Sequence, residues 1–285
     1  MISVEMHENV AVLTLDDPDK GVNVLSNHVL EDFDRQLTEL QKQSDVAGLV
    51  IISSKQGNFI AGADLREFVA SLDEPKEAVQ QVAERGQQLF ARLAKCPFVT
   101  VAAIGGLCVG GGSELAMWCD RRVMADDGKT SFAFPEVKLG LFPGWGGTAR
   151  MPRLVGLGNA VELVTGGEPI DSREAAAMGL AQLAEPDQLL QTALAIVRQD
   201  HASQAYQKDR DCWEAPLGLS ETELGFIGAT ASAYIQGQTK GHYPAPMAAL
   251  EVMLGAAGVD VWTACKMEAE GFTELWGTSE NRALL

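Results

Sequence analysis

The fold is decided by the stretch Ala103-Ile104-Gly105-Gly106-Leu107-Cys108-Val109-Gly110-Gly111-Gly112-Ser113-Glu114-Leu115-Ala116-Met117-Trp118-Cys119-Asp120. It predicts an apolar strand that leads through three consecutive glycines into a helix. Glycine has no Cβ to block an approaching group, and the first N–H groups of a helix have no acceptor within it. Glu114 falls in the first turn of this helix. We therefore expect a site where backbone donors and an acid meet developing negative charge.

A second carboxylate follows in the apolar, proline-containing segment 134–144, where Glu136 stands. An acid is costly to bury in such surroundings. Taken singly, each glutamate has an ordinary explanation: Glu114 favours the helix dipole, and Glu136 is an acid in a surface loop. Together the two glutamates indicate acid–base chemistry.

Composition sets limits on the class of protein. The chain has 285 residues, of which 46% are hydrophobic, and this is ample for a large core. A net charge of −17 disfavours nucleic acid and anionic membranes as partners. Five cysteines without C-x-x-C spacing indicate reduced thiols and a cytoplasmic location. The N-terminus has no secretion signal pattern, and no apolar window has the length of a membrane span.

Hydrophobic periodicity predicts alternating strands and helices in the first two thirds of the chain. Strands are expected at 2–6, 9–15, 47–53, 98–104, 121–125 and 130–134, and helices at 26–44, 75–95 and in several segments between 148 and 200. This alternation predicts an α/β core over residues 1–200. A polar, linker-like segment near 206–220 then leads into a helical region, so that residues 201–285 form a second part without strands.

Other motifs favour simpler interpretations. The segment 106–113 has P-loop spacing but lacks the lysine, and 144–149 fits G-x-G-x-x-A but follows Pro143 instead of a strand. The four histidines are scattered, so we predict no metal site. Ser113 lacks a nucleophile elbow, and we expect it to cap the helix.

Three segments carry a resemblance to a known family. Ala61-Gly62-Ala63-Asp64, the stretch 110–116, and Pro135 to Gly147 resemble the crotonase (enoyl-CoA hydratase/isomerase) superfamily in order and spacing. The similarity covers about residues 5–200. Residues 241–246 and 278–283 further resemble the alpha-subunit family of the multifunctional fatty-acid oxidation complex, in its N-terminal hydratase/isomerase portion.

The resemblance implies a crotonase-like ββα spiral core and a reaction. The N–H groups of Ala63 and Gly111 would form an oxyanion hole for an acyl-thioester carbonyl. Glu114 would activate the water that adds to C3 of a trans-2-enoyl-CoA, and Glu136 would deliver a proton to C2. The product would be a 3-hydroxyacyl-CoA, with no cofactor beyond the CoA of the substrate. Glu136 alone would also shuttle a proton between C4 and C2, giving a minor 3-enoyl to 2-enoyl isomerase activity.

The resemblance also implies contacts with the substrate. Further substrate or CoA contacts are expected at Ala61, Asp64, Leu65, Gly110, Pro135, Gly144 and Trp145. Lys55, Arg66 and Lys138 are candidates for the CoA phosphates, although a solvated surface explains them equally well. Trp145 either narrows the acyl pocket or packs in the core.

Alternatives stay open at this point. The resemblance implies two possible assemblies. One is a trimer-type homo-oligomer. In the other, the chain is part of a longer polypeptide, and its partners are a dehydrogenase domain and a thiolase subunit. Crotonase-fold hydrolases, decarboxylases and ring-opening enzymes commonly replace one glutamate, so Glu114 and Glu136 together favour hydration. A non-catalytic acyl-CoA-binding or assembly module is a different class, and a scaffold without a ligand is a third.

Overall fold

In the computed structural model, which describes residues 1–285, strands and helices alternate along the first part of the chain. These elements are, in order, β1 (Ile2–His7), β2 (Val10–Leu15), α1 (Asn27–Gln41), β3 (Gly48–Ser53), β4 (Asn58–Ile60), α2 (Leu65–Ala70), α3 (Lys76–Ala94), β5 (Val99–Ile104), β6 (Leu107–Val109), α4 (Gly111–Trp118), β7 (Arg121–Ala125) and β8 (Ser131–Ala133). The predicted strands and helices of this part are confirmed. The short elements β4, β6 and α2 carry too few residues for periodicity to reveal them.

Helices dominate the remainder. A 3-10 helix at Pro135–Leu139 is followed by α5 (Gly147–Val155), α6 (Leu157–Gly166), β9 (Ile170–Asp171), α7 (Ser172–Ala177), β10 (Gln182–Ala184), α8 (Leu189–Ser203), α9 (Ala205–Glu214), α10 (Glu221–Thr239), α11 (Pro244–Gly255), α12 (Val261–Leu275) and α13 (Ser279–Leu284). Two further 3-10 helices cover Pro186–Gln188 and Ala256–Gly258. None of these helices combines the length and the apolar character that crossing a membrane requires.

Two sheets organise the strands. The larger has the order β1-β2-β3-β5-β7-β10, and its strands are parallel except for the β1–β2 hairpin. β5 is buried along its whole length, as expected for a parallel strand covered on both faces, whereas β1 at the edge alternates in exposure. α8 packs on β3, β5 and β7 and covers the core of this sheet. The smaller sheet has the order β4-β6-β8-β9.

The chain divides into two compact units that interleave along the sequence. The first unit consists of Met1–Asp64, Leu89–Phe132 and Ile170–Asp211, and the second of Leu65–Gln88, Ala133–Pro169 and Cys212–Leu285. The sequence predicted a linear division at residue 200. These units are determined by which buried faces pack together. Local composition does not predict that packing.

The predicted linker-like segment 206–220 contains most of α9. Arg210 forms two hydrogen bonds to the buried Asp120 carboxylate, at 2.6 and 2.7 Å. It also donates to the carbonyl of Cys96 at 2.6 Å. Tyr206 is buried beneath this guanidinium, which lies 4.7 Å from the ring centre. One polar residue of this segment, Arg210, therefore takes part in a buried ion pair that holds α9 in the first unit.

All five cysteines are free thiols, and Cys212 alone is exposed. Burial raises the pKa of Cys96 to about 11 and that of Cys108 to about 12. These two thiols therefore stay protonated and unreactive at neutral pH.

Candidate active site

The glycine-rich helix start predicted at 110–114 is present in the first unit. Gly110 caps α4 with φ of 55°, a backbone conformation that favours glycine, and no side chain caps the helix. Gly112 has a different reason: a Cβ there would lie 2.7 Å from the Ile60 carbonyl oxygen. The third glycine thus permits close packing of α4 on β4.

The turn of residues 61–64 lies against the same helix start. Leu25 pairs with Ala63 in an isolated parallel bridge, in which Leu25 N–H donates to the Gly62 carbonyl and Asp64 N–H donates to the Leu25 carbonyl. In this parallel pattern the N–H of Ala63 itself points away from Leu25. A Cβ at Gly62 would lie 3.6 Å from the carbonyl of Val109, the residue before Gly110.

Glu114 is buried, with 3% of its surface exposed, on a helix whose residues are all buried. Its backbone N–H donates to the Gly110 carbonyl at 3.0 Å, which places the side chain one turn after the helix start. The prediction that Ser113 caps this helix is wrong. Its fully buried hydroxyl donates to the Cys108 carbonyl at 2.9 Å, because Ser113 already lies inside the first turn.

Two of the polar candidates, Asp64 and Lys55, form ion pairs within the first unit. Asp64 is buried and accepts a 2.9 Å hydrogen bond from Lys20. Lys55 pairs with Asp16 at 2.8 Å, so its charge is already balanced. Leu65 and Arg66 are exposed at the start of α2.

Glu136 lies in the second unit, in the 3-10 helix that begins with Pro135. Proline at a first helical position fixes φ, and its missing N–H costs nothing there. The Oε2 atom of Glu136 is buried and has no hydrogen-bond partner. Burial, reinforced by the negative charge of Glu268, raises the pKa of Glu136 to about 8. This carboxyl therefore holds a proton at neutral pH. Neighbouring Lys138 is exposed and pairs with Glu168 at 2.9 Å.

A buried glutamate that the sequence did not single out occupies the start of α5. Glu268 on α12 has no exposed surface and accepts hydrogen bonds from Gly146 N–H at 2.6 Å and Thr148 N–H at 2.7 Å. Gln87 donates to the same carboxylate at 3.0 Å. The glycine-rich segment 144–149, which the sequence disfavours as a nucleotide site, thus binds a carboxyl group of the chain itself. The sequence did show the glycine-rich helix start at which Glu268 binds. It could not show that Glu268 is the group bound there, because this residue lies about 120 positions further along the chain.

Gly144 and Trp145 are packed within the second unit. A Cβ at Gly144 would lie 3.0 Å from the ring of Phe272. The Trp145 indole is buried and lies against Gly86 of α3, where a Cβ would come within 2.3 Å of the ring. Of the two roles considered for Trp145, these contacts support packing.

The segment 278–283 supports the 3-10 helix of Glu136. Asn281 is fully buried, and its side-chain amide donates to the Leu139 carbonyl at 2.8 Å. A Cβ at Gly140, whose φ is 71°, would lie 3.0 Å from the Asn281 Cα. Gly277 N–H donates to the Asn281 side-chain oxygen at 2.9 Å. In the sequence this segment was notable only for its resemblance to a known family. Nothing there predicted that it would support the 3-10 helix.

Comparison with known proteins identifies the class to which this fold and these residues belong. The model of the enoyl-CoA hydratase/isomerase family matches residues 5–236, and the chain belongs to this family. The particular relatives are more specific. The fatty acid oxidation complex subunit alpha of Aliivibrio fischeri is 39% identical over 280 residues, which are 97% of this chain and 40% of that protein. The same-named protein of Vibrio parahaemolyticus is 35% identical, over 97% of this chain and 39% of its own length. The chain thus spans about two fifths of these relatives.

Solved structures agree with the expected architecture. An enoyl-CoA hydratase from Bacillus anthracis matches with a TM-score of 0.66 at 27% identity, over 81% of this chain and 89% of that chain. DspI of Pseudomonas aeruginosa matches with a TM-score of 0.64 at 30% identity, over 74% and 83%. The prediction of a crotonase-like α/β core with a helical C-terminal region is confirmed.

Proposed function

We propose that this chain hydrates trans-2-enoyl-CoA thioesters to 3-hydroxyacyl-CoA in fatty-acid oxidation. The observation that carries the proposal is the buried Oε2 atom of Glu136, which has no hydrogen-bond partner. Burial raises the pKa of this carboxyl to about 8, which suits it to donate a proton near neutrality. Membership of the enoyl-CoA hydratase/isomerase family and the names of the alpha-subunit relatives support the substrate class.

The reaction needs an oxyanion hole, a base and an acid. The N–H groups of Ala63 and Gly111 would bind the thioester oxygen as it becomes negative, each contributing about 3–4 kcal/mol if it matches well-measured oxyanion holes. Glu114 would take a proton from water while the water oxygen bonds to C3. Glu136 would give its proton to C2, so that water adds across the double bond. The CoA arrives with the substrate, and no separate cofactor enters these steps.

A minor isomerase activity follows from the same groups. The ionised form of Glu136 would remove a proton from C2 of a 3-enoyl-CoA and return it to C4 through a dienolate, so that the double bond moves to C2–C3. This path does not need the water held by Glu114. Activity on 3-enoyl-CoA in a Glu114→Gln variant, together with its loss in Glu136→Gln, would support this second reaction.

The test follows the ultraviolet absorbance of the enoyl thioester with crotonyl-CoA and a longer 2-enoyl-CoA. We expect Glu136→Gln and Glu114→Gln each to lose about 10²–10⁴-fold in hydration rate, while Glu162→Gln, an exposed position on α6, keeps full activity. A wild-type chain that binds acyl-CoA but leaves the absorbance unchanged would contradict hydration and favour a non-catalytic binding module. Release of free CoA would favour a thioester hydrolase.

Assembly is part of the proposal. The curated relatives are named as subunits of a complex. We propose association with a 3-hydroxyacyl-CoA dehydrogenase domain and a thiolase subunit, or a trimer-type homo-oligomer when the chain stands alone. Light scattering of the purified chain distinguishes a trimer from a monomer.

A further inference from the structure

Asn23 connects the turn that contains Ala63 to three strands of the first unit. The residue is 3% exposed, and each of its polar groups is hydrogen-bonded. Its side-chain NH2 group donates to the Leu15 carbonyl at 3.1 Å, to the Ser53 hydroxyl at 2.8 Å and to the Phe59 carbonyl at 3.3 Å. These acceptors lie at the end of β2, at the end of β3 and within β4. One side chain thus fixes the position of Asn23 relative to strands of both sheets.

The backbone of residues 23–25 forms a short ladder of hydrogen bonds with the turn of residues 61–64. The bonds run from Ala61 N–H to the Asn23 carbonyl at 2.8 Å, from Leu25 N–H to the Gly62 carbonyl at 2.8 Å and from Asp64 N–H to the Leu25 carbonyl at 3.3 Å. The two bonds made by Leu25 lie on either side of Ala63, so that the N–H of Ala63 points to the opposite side of the turn. The direction of this N–H therefore depends on where Leu25 lies.

Two further hydrogen bonds hold Asn23 itself. Its N–H donates to the side-chain oxygen of the buried Asn58 at 2.8 Å. Its side-chain oxygen accepts from Asp17 N–H at 3.0 Å and so closes the loop that follows β2. A carboxamide suits this position because it is a neutral group that offers an acceptor and two donors in one plane. Without this side chain, four hydrogen bonds that fix the start of the ladder are lost.

The second expected oxyanion donor lies outside this ladder. Gly111 is the first residue of α4, in the same unit, and none of the hydrogen bonds of Asn23 reaches that helix. A change at Asn23 would therefore move the Ala63 N–H relative to the Gly111 N–H. An oxyanion hole works by holding its donors in place before the reaction begins, so a relative movement of the two donors weakens it.

We propose that Asn23 is a positioning residue for the oxyanion hole: its side chain fixes residues 23–25, and their ladder with the 61–64 turn directs the Ala63 N–H towards the substrate oxygen. The role of this N–H as a donor to the thioester rests on the proposed function. The ordering of the turn by Asn23 does not, so the two are tested separately.

The ordering of the turn is measured by amide hydrogen exchange, resolved by residue with NMR. In Asn23→Ala we expect the Leu25 and Asp64 amides to exchange about tenfold faster or more, because both donate within the ladder. The matched control is Thr100→Val, which removes from β5 of the same unit a buried hydroxyl that donates to Asp120 at 3.0 Å. In this variant the Leu25 and Asp64 amides should change no more than other amides of the unit.

The effect on the oxyanion hole is measured by kinetics and by infrared spectroscopy. A displaced donor weakens binding of the transition state more than binding of the substrate. We expect Asn23→Ala to lower kcat on the order of 10²-fold, while KM for crotonyl-CoA stays within about threefold. The spectroscopic probe is butanoyl-CoA with a carbon-13 carbonyl, a saturated thioester that water cannot hydrate. Its carbonyl stretch should move to lower frequency on binding to the wild type and to Thr100→Val, and most of that shift should be lost in Asn23→Ala.

Ser53→Ala is a milder form of the same change, since it removes one of the three acceptors of the Asn23 amide. We expect smaller effects in the same direction on amide exchange, kcat and the carbonyl frequency. This variant tests the proposal even if Asn23→Ala does not fold.

Three results overturn the proposal. One is unchanged exchange at Leu25 and Asp64 in Asn23→Ala, or in Ser53→Ala if the first variant does not fold. Another is a loss of kcat that Thr100→Val reproduces at an equal loss of stability. The third is an active wild type in which the carbonyl of bound butanoyl-CoA does not shift.

Failure of the proposed function looks different. A wild type without hydratase activity that shifts the carbonyl frequency, and loses the shift in Asn23→Ala, would refute hydration and support the positioning role. An active wild type whose kcat and carbonyl shift are unchanged in Asn23→Ala would refute the positioning role and leave hydration standing.

Discussion

Two helical glycines have opposite surroundings, and alanine at each should change stability in opposite directions. At Gly112 in α4, a Cβ would lie 2.7 Å from the carbonyl oxygen and from the Cβ of Ile60. At Gly237 in α10, the same Cβ would meet no atom within 4 Å. Neither glycine has a positive φ, so backbone strain plays no part in the comparison.

The size of the effect follows from these distances. Ordinary contact begins at 3.4 Å, so the methyl of Gly112→Ala overlaps Ile60 by about 0.7 Å. The carbonyl of Ile60 belongs to the backbone of β4, which is paired with β6, and α4 must move instead. Overpacking of this kind costs about 1–3 kcal/mol. Gly237→Ala should gain about 0.5–1 kcal/mol, because alanine loses less backbone freedom on folding.

The same displacement should also lower activity. Movement of α4 shifts the N–H of Gly111, and a misplacement of about 1 Å at a reacting group costs on the order of 10²-fold in rate. Urea unfolding measures the free energy of unfolding of both variants, and the hydration assay measures kcat and KM. A Gly112→Ala protein as stable and as active as the wild type would refute the close-packing argument. A Gly237→Ala protein that is less stable than the wild type would refute the argument that a Cβ at this position of α10 meets open space.

Three further predictions concern stability. Because the folded chain keeps the Glu136 proton to about pH 8 while the unfolded chain releases it near 4.5, the free energy of unfolding should fall as pH rises between those values. Glu136→Gln should flatten this fall in urea titrations at several pH values; an unchanged slope would contradict the raised pKa. Asp120→Asn breaks the buried pair with Arg210 and should cost about 3–5 kcal/mol in urea unfolding, and a loss below about 1 kcal/mol would show that solvent screens the pair. Gly86→Ala drives a methyl into the Trp145 ring and should lower the free energy of unfolding by about 1–3 kcal/mol. If this clash is the cause, adding Trp145→Val should relieve the loss.

The α/β core could be predicted because its signals are local. The apolar runs at β3 and β5 and the amphipathic spacing of α1 and α3 come from neighbouring residues, and each element forms where the pattern places it. Strands of two or three residues, such as β6, β9 and β10, have no period to detect. They form because the sheets offer them partners.

The candidate site likewise has features that the local sequence predicts and features that it does not. The glycine-rich start of α4 and the positions of Glu114 and Glu136 in apolar segments can be predicted from adjacent residues. Ser113 shows the limit, since a serine near a helix start predicts a cap until the position of that start is known to one residue.

By itself, the sequence determined which segments form strands and helices, where backbone donors collect, and which acids stand in apolar surroundings, because these depend on residues close together in the chain. Tertiary structure alone decided that the Glu268 carboxyl binds at the start of α5 and that Asn281 holds the 3-10 helix of Glu136. It also decided that Gly112 serves packing. These contacts join residues 50 to more than 140 positions apart, and burial, hydrogen bonding and electrostatic repulsion act through space once the chain has brought them together.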